Sequence, residues 1–510
     1  SLRIPSFPKC CTSLLNWGMQ IKLFFKKYSS AWIVRNFVSI IILIIILCIG
    51  SYYRILAMNS NILIRNGFES SVSMASYLFV NPAKYRQGSL VKEEHSIYDS
   101  FPLKEYSKYT DGADSFTFIR NPDKKSIQEK DFSVSRSELG WAFILRYVLP
   151  DGIKGSQNMA MRIVKFCFII ELILIILLFF IGKKVAGILG AILAALLYAI
   201  FLPAVHMMSY VTYYYWTIPF SVFSLFFWIV LYEGMDNKES LKKKIMLFFF
   251  YGTVMGFGAA TRMVLLLLPL FLSPFILYKE RKIKTAIILL IVMLSGQFLL
   301  LIPQMMVNKK QFGIFAISTR ATWHTVLMGL GFRKNPFGIE NSGDFAAFDY
   351  IKRETGVLSI DSDAYNKASK RQVIKLVKEN PGLFINNAIE NIKSAKFINP
   401  TAFYGIDTPL NKVTSLEDIQ KNGSGSLVTP LIKKYFLWLV LLALWIIVFF
   451  NSQKQFRMFL LLIAQNIYLV LIICLYFPNY LYFMSGYIPS WILLFSLSLA
   501  IILQKLLSRG

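Results

Sequence analysis

Residues 34–56 read VRNFVSIIILIIILCIGSYYRIL, a continuous apolar run without the alternation of a half-buried strand. About 20 such residues in a helix cross the roughly 30 Å hydrocarbon core of a bilayer. The run is too long for the apolar core of a signal peptide and has no convincing cleavage site, so it reads as a retained span. It leads not into a second span but into a polar stretch, 58–160, and only then into a dense series of further apolar runs. So long a segment outside the bilayer, followed by many spans, points to chemistry at a membrane surface. Near its start lies Arg65-Asn66-Gly67-Phe68-Glu69-Ser70-Ser71-Val72-Ser73-Met74-Ala75, whose one carboxylate is Glu69.

The composition agrees. The 510 residues are 55% hydrophobic and only 16% charged, well under the charge of a typical soluble domain. Lipid offers no partner to an open backbone, and the runs are continuous, so helices are expected rather than barrel strands. The formal charge of +27 would suggest nucleic acid in a soluble protein. Here much of the excess sits between spans, as in Lys242-Lys243-Lys244 and Lys279-Glu280-Arg281-Lys282. That is the positive-inside pattern, with anionic headgroups as partners and no nucleic acid. Of five cysteines, Cys48, Cys167 and Cys474 lie in apolar runs and Cys10 and Cys11 near the start. The large polar segments contain none, so no disulfide framework or Cys-type zinc site is expected there.

The reading is an all-α polytopic protein with about ten transmembrane helices, near 34–56, 162–181, 185–203, 212–232, 246–261, 263–278, 285–306, 433–450, 458–477 and 483–504. A basic segment, 1–33, precedes a transmembrane module, 34–306, that carries the loop 58–160. A second loop region, 307–432, leads to the C-terminal helices within 433–510. Basic clusters mark the N-terminal segment, Gly182-Lys183-Lys184, 238–244, 279–284, 453–457 and the C-terminal tail. Alternate counting puts all of them, and both termini, on the cytoplasmic side. The two large loops then share the external face. Within the second, Val373, Leu376, Val377, Phe384, Ile385, Ala388, Ile389 and Ile392 recur near helical spacing, and Asn380-Pro381 divides them into two helices.

Several segments, in order along the chain, resemble the polytopic glycosyltransferases of the GT-C class, above all the bacterial branch related to protein O-mannosyltransferases and aminoarabinose transferases. In that family the first external loop opens with Asp-Glu-x-x-Tyr-x-x-Ala. Here Glu69 and Ala75 match, while Phe68 and Val72 stand where the Asp and Tyr would be. Arg136-Ser137-Glu138-Leu139-Gly140-Trp141 could occupy the place of the family's Lys-Pro-Pro-Leu-x-Tyr, with Arg136 for the lysine. Gly256-Phe257-Gly258-Ala259-Ala260-Thr261-Arg262 resembles a Gly-rich turn ending in arginine. The segment from Asn308 to Phe315, with Ser318, resembles the one after the seventh span. The resemblance covers about three-quarters of the chain by order of elements and implies a GT-C-like fold.

It also implies a reaction. An inverting transferase would move a sugar from a polyprenyl-phosphate donor to a lipid, glycan or protein acceptor on the external face of a bacterial inner membrane. Glu69 is the expected base. Arg262, Arg136 and Arg320 are the expected cations for the donor phosphate. Asp111, Asp114 and Glu138 are the alternative acids. No cofactor is certain. A divalent metal at Asp111 and Asp114 is the lesser reading, since no His/Cys/carboxylate cluster supports one. The bland alternatives are a solvated loop glutamate at Glu69 and, at Arg262, an arginine snorkelling to headgroups. Three other functions compete. One is a transporter or flippase of a lipid-linked saccharide, which would carry charges within its spans; Glu171 is the main such charge. The second is a polysaccharide polymerase or ligase. The third is an inactive scaffold, kept open by the missing aspartate.

Overall fold

The computed structural model describes residues 37–58, 140, 144, 157–209, 213–236, 240–280, 282–312, 315, 317, 321–331, 333–339, 344–357, 363–395, 453–476 and 486–507. Among them the regular elements are all helical. Among the described residues, five helices are long and apolar enough to cross a membrane: Phe37–Met58, Arg162–Ile200, Leu241–Thr261, Ile283–Met306 and Ile488–Leu507. Three shorter apolar helices accompany them, Thr217–Tyr232, Met263–Ile276 and Phe456–Leu469. The chain is an integral membrane protein. The eighth run expected from sequence, 433–450, lies outside the described residues.

Helix α1 is Phe37–Met58. Element α2, Gln157–Ile200, is two helical legs that meet at a break at Ala186 and Gly187, where Gly187 takes φ +65°. The two sides of the break are antiparallel legs. Tyr198 donates to Glu171 at 3.1 Å although the two are 27 positions apart, a separation of about 40 Å along a straight helix. Gly182 lies so close to Gly190 that an added Cβ would come within 2.5 Å of its carbonyl oxygen. The second and third apolar runs are therefore one tight hairpin, turned where only glycine accepts the backbone.

Next come α3 (Leu202–Ser209), a 3-10 turn (Tyr213–Trp216), α4 (Thr217–Asp236) and α5 (Leu241–Thr261). The glycines read as a Gly-rich turn are interior to α5. An added Cβ at Gly252 or Gly256 would strike the backbone of Met293 or Gln297 on the parallel helix α8 (Ile283–Phe312). Small residues let backbones approach closely in a membrane; that, not a turn, is the use of these glycines. The sixth run is a kinked apolar helix, Met263–Ile276. It is a 3-10 turn (Met263–Leu265), α6 (Leu268–Leu272) and α7 (Pro274–Lys279). Pro269 and Pro274 stand in the first turns of α6 and α7, where a missing N–H is tolerated but a helix arriving from the N-terminal side cannot continue.

Helices α9 (Ala321–Leu330), α10 (Asp344–Thr355), α11 (Asp363–Glu379) and α12 (Pro381–Ala395) form a second core. Leu327, Ile351, Tyr365, Ala368 and Leu376 are buried in it. His324 is structural, its Nδ1 2.5 Å from the Tyr365 hydroxyl. Helices α9 and α12 contact α13 (Gln453–Tyr476), which packs with α14 (Tyr487–Leu507) in the main bundle.

The bundle has two chemically different ends. At one, Lys183 reaches Ser39, and Gln504 of α14 donates to Ala186. There too Lys279 donates to the Tyr232 carbonyl at 2.5 Å, Lys244 pairs with Glu280 at 2.8 Å, and Arg457 reaches the Tyr232 hydroxyl. The basic clusters of the hairpin turn, α5, α7, α13 and α14 thus gather at one end. At the other end, α1, α5 and α8 finish and α4 and α14 begin. Ser221 donates to Gly486 at 3.0 Å, and Gln465 donates to Ser221 at 2.9 Å, tying α4, α13 and α14 together there.

Candidate functional site at the end opposite the basic clusters

Two arginines sit in protein toward this end. Arg54, one turn before α1 stops, is fully buried. Its Nε and Nη2 donate to Glu171 Oε2 at 3.1 and 2.6 Å. Its Nη1 donates to the carbonyls of Gly50 at 3.2 Å and Ala199 at 3.0 Å. The other carboxylate oxygen of Glu171, also fully buried, accepts from the hydroxyls of Tyr198 at 3.1 Å and Tyr215 at 2.9 Å. An ion pair taken out of water is expensive unless its remaining donors and lone pairs are satisfied, and here they are. The cluster joins α1, both legs of the hairpin and the 3-10 turn that opens α4.

Sequence reading noted Glu171 alone. Arg54 was overlooked because the two lie 117 positions apart. A signal existed: opposite charges inside two apolar runs are each costly alone and cheap together.

Arg262 follows α5 directly. Its backbone leaves the helix at φ −146° and ψ 110° while its N–H closes the last turn on Gly258 at 2.7 Å. It then opens the 3-10 turn toward α6. Tyr468 donates to Val264 at 2.6 Å and Gln297 to Leu266 at 2.6 Å, so α13 and α8 pin the elbow from two sides. Arg262 is only 6% exposed. A snorkelling arginine would present its guanidinium to headgroups; this one is enclosed by protein.

Two segments from the large loops meet the same elbow. An added Cβ on Gly140 would lie 2.6 Å from Thr261 Oγ1 and 2.7 Å from Thr261 N, so Gly140 is seated against the residue before Arg262. Ile144 is buried in the main core. Beyond α8, Ile317 packs with Ala259, Ala260, Leu266 and Leu301. Gln304 donates to its carbonyl. An aromatic path joins the elbow to the Arg54 cluster: Tyr215 to Trp216 at 5.5 Å, Trp216 to Phe220 at 6.4 Å and Phe220 to Phe257 at 5.8 Å. Phe220 also fills the space over Gly258.

Of the residues singled out from sequence, Arg262 is described. Glu69, Arg136, Arg320, Asp111, Asp114 and Glu138 lie outside the described residues. Among the described residues no group of three His, Cys, Asp or Glu side chains could hold a metal ion.

No protein-family model matches the chain, and a comparison with curated proteins finds no match. Among solved structures, the chain is similar to the archaeal oligosaccharyltransferase AglB from Archaeoglobus fulgidus, solved with an inhibitory peptide and a dolichol-phosphate. The identity is 13% and the TM-score 0.40, over 72% of this chain and 43% of that one. The chain thus spans less than half the length of that protein, and a likeness of this size does not establish a shared fold.

Proposed function

We propose that the protein is a GT-C-like, inverting glycosyltransferase using a polyprenyl-phosphate sugar, with its site at the end that holds Arg262. The observation that carries this reading is the meeting of three chain segments at the α5 elbow. Arg136 is four positions from Gly140, and Arg320 is three from Ile317. Both arginines are thus close in sequence to residues packed at the α5 elbow, which supports assigning them with Arg262 to one phosphate. In the reaction, Glu69 takes the proton of the acceptor hydroxyl as its oxygen bonds to the anomeric carbon. The bond from that carbon to the donor phosphate breaks on the opposite face. The charge arriving on the leaving polyprenyl phosphate is met by Arg262, Arg136 and Arg320. Asp111, Asp114 and Glu138 are the reserve bases.

The same reading puts the basic end in the cytoplasm of a bacterial inner membrane and the Arg262 end outside. It requires 433–450 to return the chain across the bilayer between α12 and α13. A transporter reading calls for charges available to a substrate within the spans. The Arg54–Glu171 pair is fully buried and its partners are all internal, which favours the enzyme.

The test is transfer from a panel of radiolabelled polyprenyl-phosphate sugars to a membrane extract, comparing the unaltered chain with Glu69→Gln and Arg262→Ala. Transfer by the unaltered chain that Glu69→Gln abolishes, with donor binding retained, supports the base. Transfer that survives Glu69→Gln moves the base to Asp111, Asp114 or Glu138. No transfer from any donor by the unaltered chain, together with movement of a lipid-linked sugar across a bilayer, would overturn the enzyme reading.

A further inference from the structure

The unit formed by α9 to α12 carries a surface that the transfer reaction does not use. Helix α11 buries Tyr365, Ala368, Val373 and Leu376 against its neighbours. Its opposite face is basic: Lys370, Arg371, Lys375 and Lys378 are exposed along it, with Ile374 (37% exposed) and Val377 (40%) among them. The acids of this helix, Asp363 and Glu379, are at its two ends. Arg371, Ile374, Lys375 and Lys378, with Glu379 at the helix end, line a shallow recess. Helix α12 adds Ile385 (60% exposed) and Ile389 (44%), four positions apart and so on one face.

An exposed isoleucine among lysines and arginines, with two more exposed isoleucines on the next helix, is poorly suited to water and well suited to a bilayer surface. There the apolar side chains enter the headgroup boundary while the cations meet lipid phosphates. The unit is held beside a membrane already, because α9 and α12 contact α13 of the main bundle. We infer that the basic, isoleucine-bearing face of α11, extended by α12, docks onto the anionic phospholipid surface of the bilayer in which the protein sits. The inference does not depend on the proposed glycosyl transfer.

The experiment uses the full chain in lipid nanodiscs, whose two faces are both open to solution. Its five native cysteines are replaced and a fluorescent label is placed through Ile374→Cys. Discs of phosphatidylcholine alone are compared with discs containing one-third phosphatidylglycerol. The expected result is label shielded from an aqueous quencher and reached by a headgroup-level lipid quencher in the anionic discs only. High salt should erase the difference by screening, and this arm needs no further substitution. Combined Arg371→Glu, Lys375→Glu and Lys378→Glu, all at exposed positions, should erase it too, with the melting temperature unchanged. Equal aqueous quenching in both discs overturns the inference. Shielding by a soluble acidic polysaccharide, with none from anionic lipid, overturns it as well and makes that polymer the partner.

Discussion

Arg54 and Arg262 are both enclosed by protein toward the same end of one bundle, and they are held in opposite ways. Arg54 spends its three nitrogens on a buried carboxylate and two helix carbonyls. Its partners come from α1 and from both legs of the hairpin, so the cluster is a joint between helices. Arg262 stands where a helix stops. Gly140 is seated against the residue before it, and the elbow toward α6 begins at it. The first arrangement fixes geometry. The second collects segments that a ligand could bring into register. A charged side chain in a membrane protein is thus not diagnostic by its type; what its neighbours are attached to decides.

The contrast can be broken by substitution. Arg54→Leu leaves Glu171 buried without its cation and should cost about 3–5 kcal/mol, read as a lowered melting temperature in detergent. Adding Glu171→Leu should restore most of that loss, since an apolar pair removes both desolvation costs. If the double variant melts no higher than the single, the cluster is more than a joint. Gly140→Val forces a side chain into Thr261 and should cost about 1–3 kcal/mol by overpacking. It should reduce sugar transfer while the main bundle stays folded, shown by an unchanged helical circular-dichroism signal.

On the proposed reading, Arg262→Ala should weaken polyprenyl-phosphate binding at least about tenfold, close to 1.4 kcal/mol. A large drop in melting temperature with unchanged affinity would make it a second Arg54. Tyr215→Phe removes one hydroxyl from Glu171 and should cost about 1 kcal/mol, the smallest of these effects.

Much of the bundle was legible in sequence because a span must satisfy its backbone internally and hide its length in apolar side chains. The described part of the run at 34–56, and the runs at 246–261 and 285–306, fall within single helices for that reason. The break at Asn380-Pro381 is where sequence placed it, between α11 and α12. Hydropathy does not report continuity. It separated the two hairpin legs, as the break at Gly187 does, and ran α6 and α7 together without showing the kink at Pro274. The glycines of α5 were taken for a turn because a lone sequence does not show Met293 and Gln297 lying against them. Arg262 was legible by its address after a span. The Arg54–Glu171 joint was not, since it is a contact between distant segments.

The hairpin has a consequence for how the protein is made. Its apolar stretch, Arg162–Ile200, is 39 residues long, and the turn within it carries Lys183 and Lys184 beside a glycine contact with no slack. A pair packed this tightly has both outer ends, Arg162 and Ile200, on one face, so the two legs are suited to enter the bilayer as a unit.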